Sequence, residues 1–153
     1  MKTSLIILIF MVTFAACSKN NAFYDFNMSK KQELSEDSIR SSKIQKNDVI
    51  DGLITVLYIN NILPKKYHGN EYFYVYMYIK NSNNKVHFTL NGKKSINVKE
   101  LNSKNEFSKL IRFDATWTKY YLVEFKKEKN KLIFMAKDTK FSSNKLIFEK
   151  TWK

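Results

Sequence analysis

The chain has 153 residues and a formal net charge of +13, from 27 Lys and Arg against 14 Asp and Glu. Aromatic residues make up 15% of it, and glycine and proline are scarce, which excludes collagen-like and Pro/Gly-rich disordered chains and favours a packed fold. The length suits a single domain with one core. The only cysteine, Cys17, cannot form an intramolecular disulfide.

Residues 1–16 have the layout of a secretory signal peptide. Lys2 supplies a positive charge, and an apolar run begins at Leu5 and extends to Ala16. That run is too short to span a bilayer comfortably as a permanent helix. The small residues Ala15 and Ala16 suit a signal peptidase, so the sequence predicts that residues 1–16 are removed.

The four residues Phe14-Ala15-Ala16-Cys17 resemble the lipobox of bacterial lipoproteins. The resemblance implies that the Cys17 sulfur receives a diacylglyceryl group, that Cys17 becomes the first residue, and that palmitate labels the protein. It also implies a lipid-anchored protein of the cell envelope. Ser18 stands where Asp would indicate inner-membrane retention in enteric bacteria, which favours the outer membrane, or the plasma membrane in a host without an outer membrane. An ordinary cleaved secretory signal and an uncleaved anchor are the alternatives.

The charge is unevenly distributed. Residues 18–52 have equal numbers of basic and acidic side chains, whereas residues 53–153 carry a net charge of +12. A basic surface attracts anionic partners such as phosphate-bearing lipid, lipopolysaccharide, nucleic acid or an acidic protein. An exported protein rarely meets nucleic acid, so a protein partner, acidic if the charge is functional, is expected. Because nearly all the basic residues are Lys, a low-GC genome producing a merely solvated surface is the alternative.

Residues 17–48 are predicted to be the lipidated N-terminus and a polar tether. Their apolar residues Leu34, Ile39 and Ile44 form no sustained helical stripe. Ser29–Gln32 fits a capping box, which allows a short helix of two turns. The β domain is predicted to occupy residues 49–153.

Strand patterns begin after residue 49. Leu53–Ile59 is a β-branched apolar run, and Glu71–Lys80 alternates strictly, with tyrosines on one face and Phe73, Val75, Met77 and Ile79 on the other. Asn91-Gly92, between strand-like runs at Lys85–Leu90 and Lys93–Val98, predicts a hairpin with a type I′ turn. Further strands are predicted at Phe107–Phe113, Trp117–Phe125, Leu132–Lys137 and Leu146–Trp152, the last three as an antiparallel meander.

These patterns predict a mainly β fold. About seven short strands, frequent turn signals and no convincing core helix favour a single antiparallel β-sandwich or small barrel. Trp117 is expected either in the core or as an exposed anchor.

The chain lacks the motifs of the common enzyme classes. It contains no Gly-x-Ser-x-Gly elbow, Walker loop, HExxH sequence or calcium-binding loop, and His68 and His87 are too few for a zinc site. His87 is expected on the solvent face of its strand. Asp114 and Glu124 could pair as catalytic carboxylates but are more typical of solvent-facing positions, and Cys17 lies outside any scaffold that could activate a thiol. We therefore expect a protein that is not an enzyme and that binds no metal or cofactor.

The alternating tyrosines are the candidate binding face. Tyr72, Tyr74, Tyr76 and Tyr78 offer area and hydroxyl groups typical of protein-binding surfaces, although rings in such a row also pack beneath loops. The expected function is that of a non-catalytic binding or accessory module of an envelope assembly, anchored through Cys17. The alternative is a periplasmic inhibitor or immunity lipoprotein that neutralises an acidic toxin or lytic enzyme.

Overall fold

The computed structural model describes residues 30–80, 85–111, 117–129 and 131–150. Ten antiparallel strands form one sheet that curls into a half-barrel. The prediction of a mainly β, antiparallel fold is confirmed, with ten strands in a single curled sheet in place of about seven. Cys17 and the predicted signal peptide 1–16 lie outside the described residues.

The elements follow one another as strands with few helical segments. The strands are β1 (Ile39–Lys46), β2 (Val49–Tyr58), β3 (Glu71–Ile79), β4 (His87–Leu90), β5 (Lys93–Lys94), β6 (Asn97–Leu101), β7 (Lys119–Phe125), β8 (Leu132–Lys137), β9 (Ser142–Ser143) and β10 (Leu146–Phe148). The helices are α1 (Lys30–Asp37), α2 (Ile59–Ile62) and a 3-10 turn (Ser108–Leu110). The sheet order is β5-β4-β8-β9-β1-β2-β3-β7-β6, and β10 pairs with β8.

The predicted tether ends earlier than residue 48. Strand β1 pairs along its length with β2, from Ile39 opposite Leu57 to Lys46 opposite Val49. Of its residues only Ile44 is buried. The boundary at residue 49 is therefore wrong: β1 belongs to the domain because backbone pairing and one core side chain hold it, and its polar residues give no apolar pattern. The allowed short helix is present as α1, although the Ser29 cap lies outside the described residues.

The inner, concave face of the sheet holds the larger core. The alternating residues Phe73, Val75 and Met77 of β3 are buried there, as the strand pattern predicts. The Phe73 ring lies 5.1 Å from the Tyr58 ring and 5.4 Å from the Phe148 ring, measured between centroids. Aromatic side chains from strands distant in sequence thus fill the half-barrel.

A second core lies on the outer face of β2, β3 and β7. Helix α2, the segment that follows it and residues 105–111 cover this part of the sheet, with Ile59, Tyr67 and Phe107 packed against Tyr74 and its neighbours. The sheet is consequently buried on both faces at this end.

One short link connects the two edges of the sheet. The predicted strand Lys93–Val98 is divided, because β5 pairs with β4 and β6 pairs with β7. Between them the Ser95 amide donates to the Phe88 carbonyl at 3.3 Å, and the Ile96 amide donates to the Glu124 carbonyl at 2.8 Å. The half-barrel is therefore closed at residues 95–96, and β4 and β6 diverge from this point.

Two further predictions have clear outcomes. The Asn91-Gly92 hairpin is confirmed, with φ of 50° and 79° at the two positions, the left-handed conformation that a type I′ turn requires. The strand predicted at Phe107–Phe113 is wrong for its described part. The Asn105 side chain accepts a hydrogen bond from the Phe107 amide at 2.9 Å, and a 3-10 turn follows.

No helix among the described residues is long and apolar enough to cross a membrane.

Candidate functional site

The four tyrosines of the predicted binding face have different environments. Tyr74 is 0% exposed, whereas Tyr78 is 45% exposed. Tyr72 and Tyr76 are partly buried. The alternation correctly places all four on one face of β3, but they do not form one solvent-exposed surface.

Tyr74 lies under the outer cover of the sheet. Its ring centroid is 5.0 Å from that of Phe107, and it stacks on Tyr120 at 6.2 Å. The Asn105 side-chain amide donates a hydrogen bond to its hydroxyl at 3.2 Å. Tyr74 is therefore a core residue and cannot contact a partner in this conformation, because a distant segment covers it.

Tyr72 belongs to a polar cluster at the covered end. Its hydroxyl donates to the Glu124 carboxylate at 2.9 Å, and the Asn70 amide donates to the same oxygen at 2.7 Å. Burial and the neighbouring Glu124 raise the pKa of Tyr72. Glu124 thus accepts hydrogen bonds from a structural cluster, while Asp114, its predicted carboxylate partner, lies outside the described residues.

The exposed end of the same outer face carries three large apolar side chains, which we call the outer patch. Leu53 is 55% exposed, Tyr78 45% and Trp117 77%. Leu53 and Tyr78 stand directly opposite each other on β2 and β3. With the partly buried Tyr76 they line a shallow groove of about 540 Å³. Of the two positions expected for Trp117, the core position is therefore wrong, and the side chain is exposed.

Lysines border the outer patch. Lys43 on β1 stands directly opposite Leu53, and Lys80 follows two residues after Tyr78. Both side chains are exposed. The arrangement combines apolar contact area with positive charge at its border.

A second concavity lies where the two edges of the sheet diverge, and we call it the edge cleft. It has a volume of about 600 Å³ and lies between β4 on one side and β6 and β7 on the other. Phe88 and Met77 contribute buried apolar surface, and Trp117 lies at its border with the outer patch. Its lining is Met77, Ile79, Lys85, Val86, His87, Phe88, Ser95, Val98, Glu100, Trp117, Lys119 and Tyr121.

A buried charged network closes the half-barrel at the end away from the outer patch. The Tyr58 hydroxyl donates to Glu71 Oε2 at 2.5 Å, and the Lys150 ammonium pairs with Glu71 Oε1. The Glu128 amide also donates to Glu71 Oε1, at 2.9 Å. Burial, followed by the hydrogen bond to Glu71, raises the pKa of Tyr58. Both carboxylate oxygens of Glu71 thus have a hydrogen-bond or ion-pair partner, so we interpret the network as structural.

Both histidines lie at the surface. His68 and His87 are both exposed, and His87 lies on the solvent side of β4 as predicted. Within residues 30–80, 85–111, 117–129 and 131–150, no group of three or more His, Cys, Asp or Glu side chains could hold a metal ion.

Sequence reasoning found Tyr76 and Tyr78 but missed Leu53 and the edge cleft. Leu53 sits in a continuous apolar run in which the exposed and buried faces look alike. The cleft arises from the change of strand partner at residues 95–96, and no local pattern encodes that change.

Comparisons of the chain with protein-family models, with curated proteins and with solved structures find no match.

Proposed function

We propose that this protein is a lipid-anchored bacterial envelope lipoprotein whose β domain binds an acidic protein through the outer patch and catalyses no reaction. The observation that carries the proposal is the clustering of Leu53, Tyr78 and Trp117, each large, apolar and between 45% and 77% exposed, at one end of a sheet face. The other end of that face is covered by the chain itself. A contiguous exposed apolar patch with charged borders is typical of protein interaction sites.

The charge of the border favours an acidic partner. Lys43 and Lys80 flank the patch, and residues 53–153 carry most of the excess positive charge. Complementary charge around an apolar centre accelerates association and selects the partner. An acidic surface with an exposed apolar centre is therefore the occupant that fits.

The anchor is the second part of the proposal and depends on the lipobox-like sequence ending at Cys17. Twelve residues separate Cys17 from the start of α1 at Lys30. At about 3.3–3.6 Å per residue, this segment reaches at most roughly 45 Å when extended. A domain tethered this closely meets partners that lie near the membrane surface.

Site-specific photo-crosslinking in the producing cells tests the docking surface. A photoreactive amino acid at position 78 should crosslink to a protein of acidic isoelectric point, and the yield should fall as salt rises from about 0.05 to 0.5 M in an envelope preparation. The matched control is position 147, because Ile147 is also an exposed apolar strand residue, at 38%. Equal crosslinking at both positions, or none at position 78, would overturn the docking surface.

The anchor is tested separately by the Cys17→Ser variant. We expect this variant to lose palmitate labelling and to leave the detergent phase that holds the wild type. Wild-type partitioning of Cys17→Ser would contradict the anchor without affecting the crosslinking result. The identity of the crosslinked protein also decides between the two functions that the sequence leaves open. A subunit of an envelope assembly would indicate an accessory module, and an acidic toxin or lytic enzyme would indicate an inhibitor or immunity lipoprotein.

A further inference from the structure

We infer that the edge cleft binds a small amphipathic anion, with its apolar tail directed toward residues 95–96 and its anionic head at the opposite end. The edge cleft shares Trp117 with the outer patch but is not lined by Leu53 or Tyr78, and the inference does not depend on the proposed function. Its volume of about 600 Å³ lies within the usual range for small-molecule sites.

Backbone hydrogen bonds close one end of the cleft. The hydrogen bonds of Ser95 and Ile96 join β4 to β7 at the closed end, beside Phe88 and Glu124. Lys119 lies five residues from Glu124 along β7, which corresponds to about 17 Å of extended strand. Lys85 lies three residues before Phe88, also away from the closed end. Within residues 85–111 and 117–129 no such pair of backbone hydrogen bonds joins the two walls at the lysine end, so an elongated ligand can lie along the cleft, whereas a polypeptide strand could not pass beyond the closed end.

The register directs apolar side chains into the cleft. Residues that stand opposite each other in an antiparallel pair share a face. Val98 of β6 pairs with the buried Val123 of β7, and Phe88 of β4 pairs with the buried Ala136. Val98 and Phe88 therefore face the interior from opposite sides of the cleft. The walls offer an apolar surface that is continuous with the inner core.

The charged groups are concentrated away from the closed end. Lys119 stands opposite Met77 and so shares the inner face with it. Lys85 is exposed at the start of the segment that leads into β4. Glu100 is the one acidic residue of the lining and stands opposite Tyr121, between the two ends. A negative head is favoured beside the two lysines and disfavoured beside Glu100, so the charges also set the ligand's orientation.

Fluorescence of Trp117 provides a local measurement. The chain has two tryptophans, so in the Trp152→Phe background only Trp117 reports. The probes are dodecanoate, dodecyltrimethylammonium and acetate, each below any micelle-forming concentration. Dodecanoate should shift the Trp117 emission in a saturable manner. Dodecyltrimethylammonium should bind at least about tenfold more weakly than dodecanoate, and acetate should not bind.

Variants separate the cleft from general electrostatics and from the outer patch. Lys85→Gln/Lys119→Gln should weaken dodecanoate binding by at least about tenfold, while Lys126→Gln/Lys131→Gln, with equal charge loss at exposed positions outside the cleft, should leave it unchanged. Glu100→Gln should strengthen binding. Equal binding of dodecanoate and dodecyltrimethylammonium, wild-type affinity in the Lys85→Gln/Lys119→Gln variant, or loss of binding in Leu53→Ser/Tyr78→Ser would overturn the proposal.

Discussion

The two ends of the outer face of strand β3 differ in solvent exposure. At the covered end Tyr74 is 0% exposed beneath residues 105–111, and at the other end Tyr78 is 45% exposed beside Leu53. The two residues are of the same type, on the same strand and on the same face. The difference shows that strand alternation defines a face, while distant segments decide whether that face is core or contact surface.

Truncation of the two rings should separate the ends most clearly. Tyr74→Ala should lower the free energy of unfolding by about 3–5 kcal/mol, because it removes a fully buried ring and leaves a cavity. Tyr78→Ala should lower it by less than about 1 kcal/mol. Urea unfolding followed by circular dichroism measures both values. Equal destabilisation by the two variants would contradict the division of the face.

The buried ion pair at the covered end should also contribute strongly to stability. Lys150→Met should lower the free energy of unfolding by about 3 kcal/mol, because it leaves the Glu71 carboxylate buried without its cation. The matched control is Lys131→Met, an exposed lysine, with an expected change within about 0.5 kcal/mol.

A double variant checks the cause of that loss. Glu71→Gln/Lys150→Met should be more stable than Lys150→Met alone, since no unpaired charge then remains buried. A double variant as unstable as the sum of the two single variants would show that the residues act independently.

Alkaline pH should destabilise the domain by ionising buried tyrosines at the covered end. Burial first, and then carboxylate hydrogen bonds, raise the pKa values of Tyr58 and Tyr67. In each case the pKa of the phenol in the folded protein lies above the unfolded value of about 10. The stability that the protonated phenol contributes is therefore fully present below pH 10 and is lost as the pH rises further.

The Tyr58→Phe variant measures this contribution. Its free energy of unfolding should fall between pH 10 and 12 less steeply than that of the wild type, by up to about 1.4 kcal/mol per pH unit. Identical slopes in Tyr58→Phe and in the wild type would contradict the role of the buried phenol.

Much of the sheet could be predicted from local patterns. The alternation of β3 and the Asn-Gly turn are short-range signals, and both features are present. Strand β1 escaped prediction because Ile44 is its only buried residue. The cover over Tyr74 escaped it because Phe107 lies 33 positions away and belongs to a turn, not to the predicted strand. Contacts of this kind depend on packing between distant segments, which periodicity does not record.

The smallest effect on stability is expected at the exposed end. Trp117→Ser should change the free energy of unfolding by no more than about 0.5 kcal/mol, because the side chain is 77% exposed. The same change should reduce the crosslinking yield at position 78, since Trp117 lines the same groove as Tyr78. A stable variant with unchanged crosslinking would remove Trp117 from the docking surface.

Nitration of tyrosines, read by mass spectrometry of peptides, tests the division of the outer face most directly. In the purified protein Tyr78 should react readily and Tyr74 should remain unmodified until the domain unfolds. In the intact envelope Tyr78 should react more slowly than in the purified protein, because the proposed partner covers it. Equal reaction of Tyr74 and Tyr78 in the purified protein would contradict the division, and equal reaction of Tyr78 in both preparations would contradict its role as a docking surface.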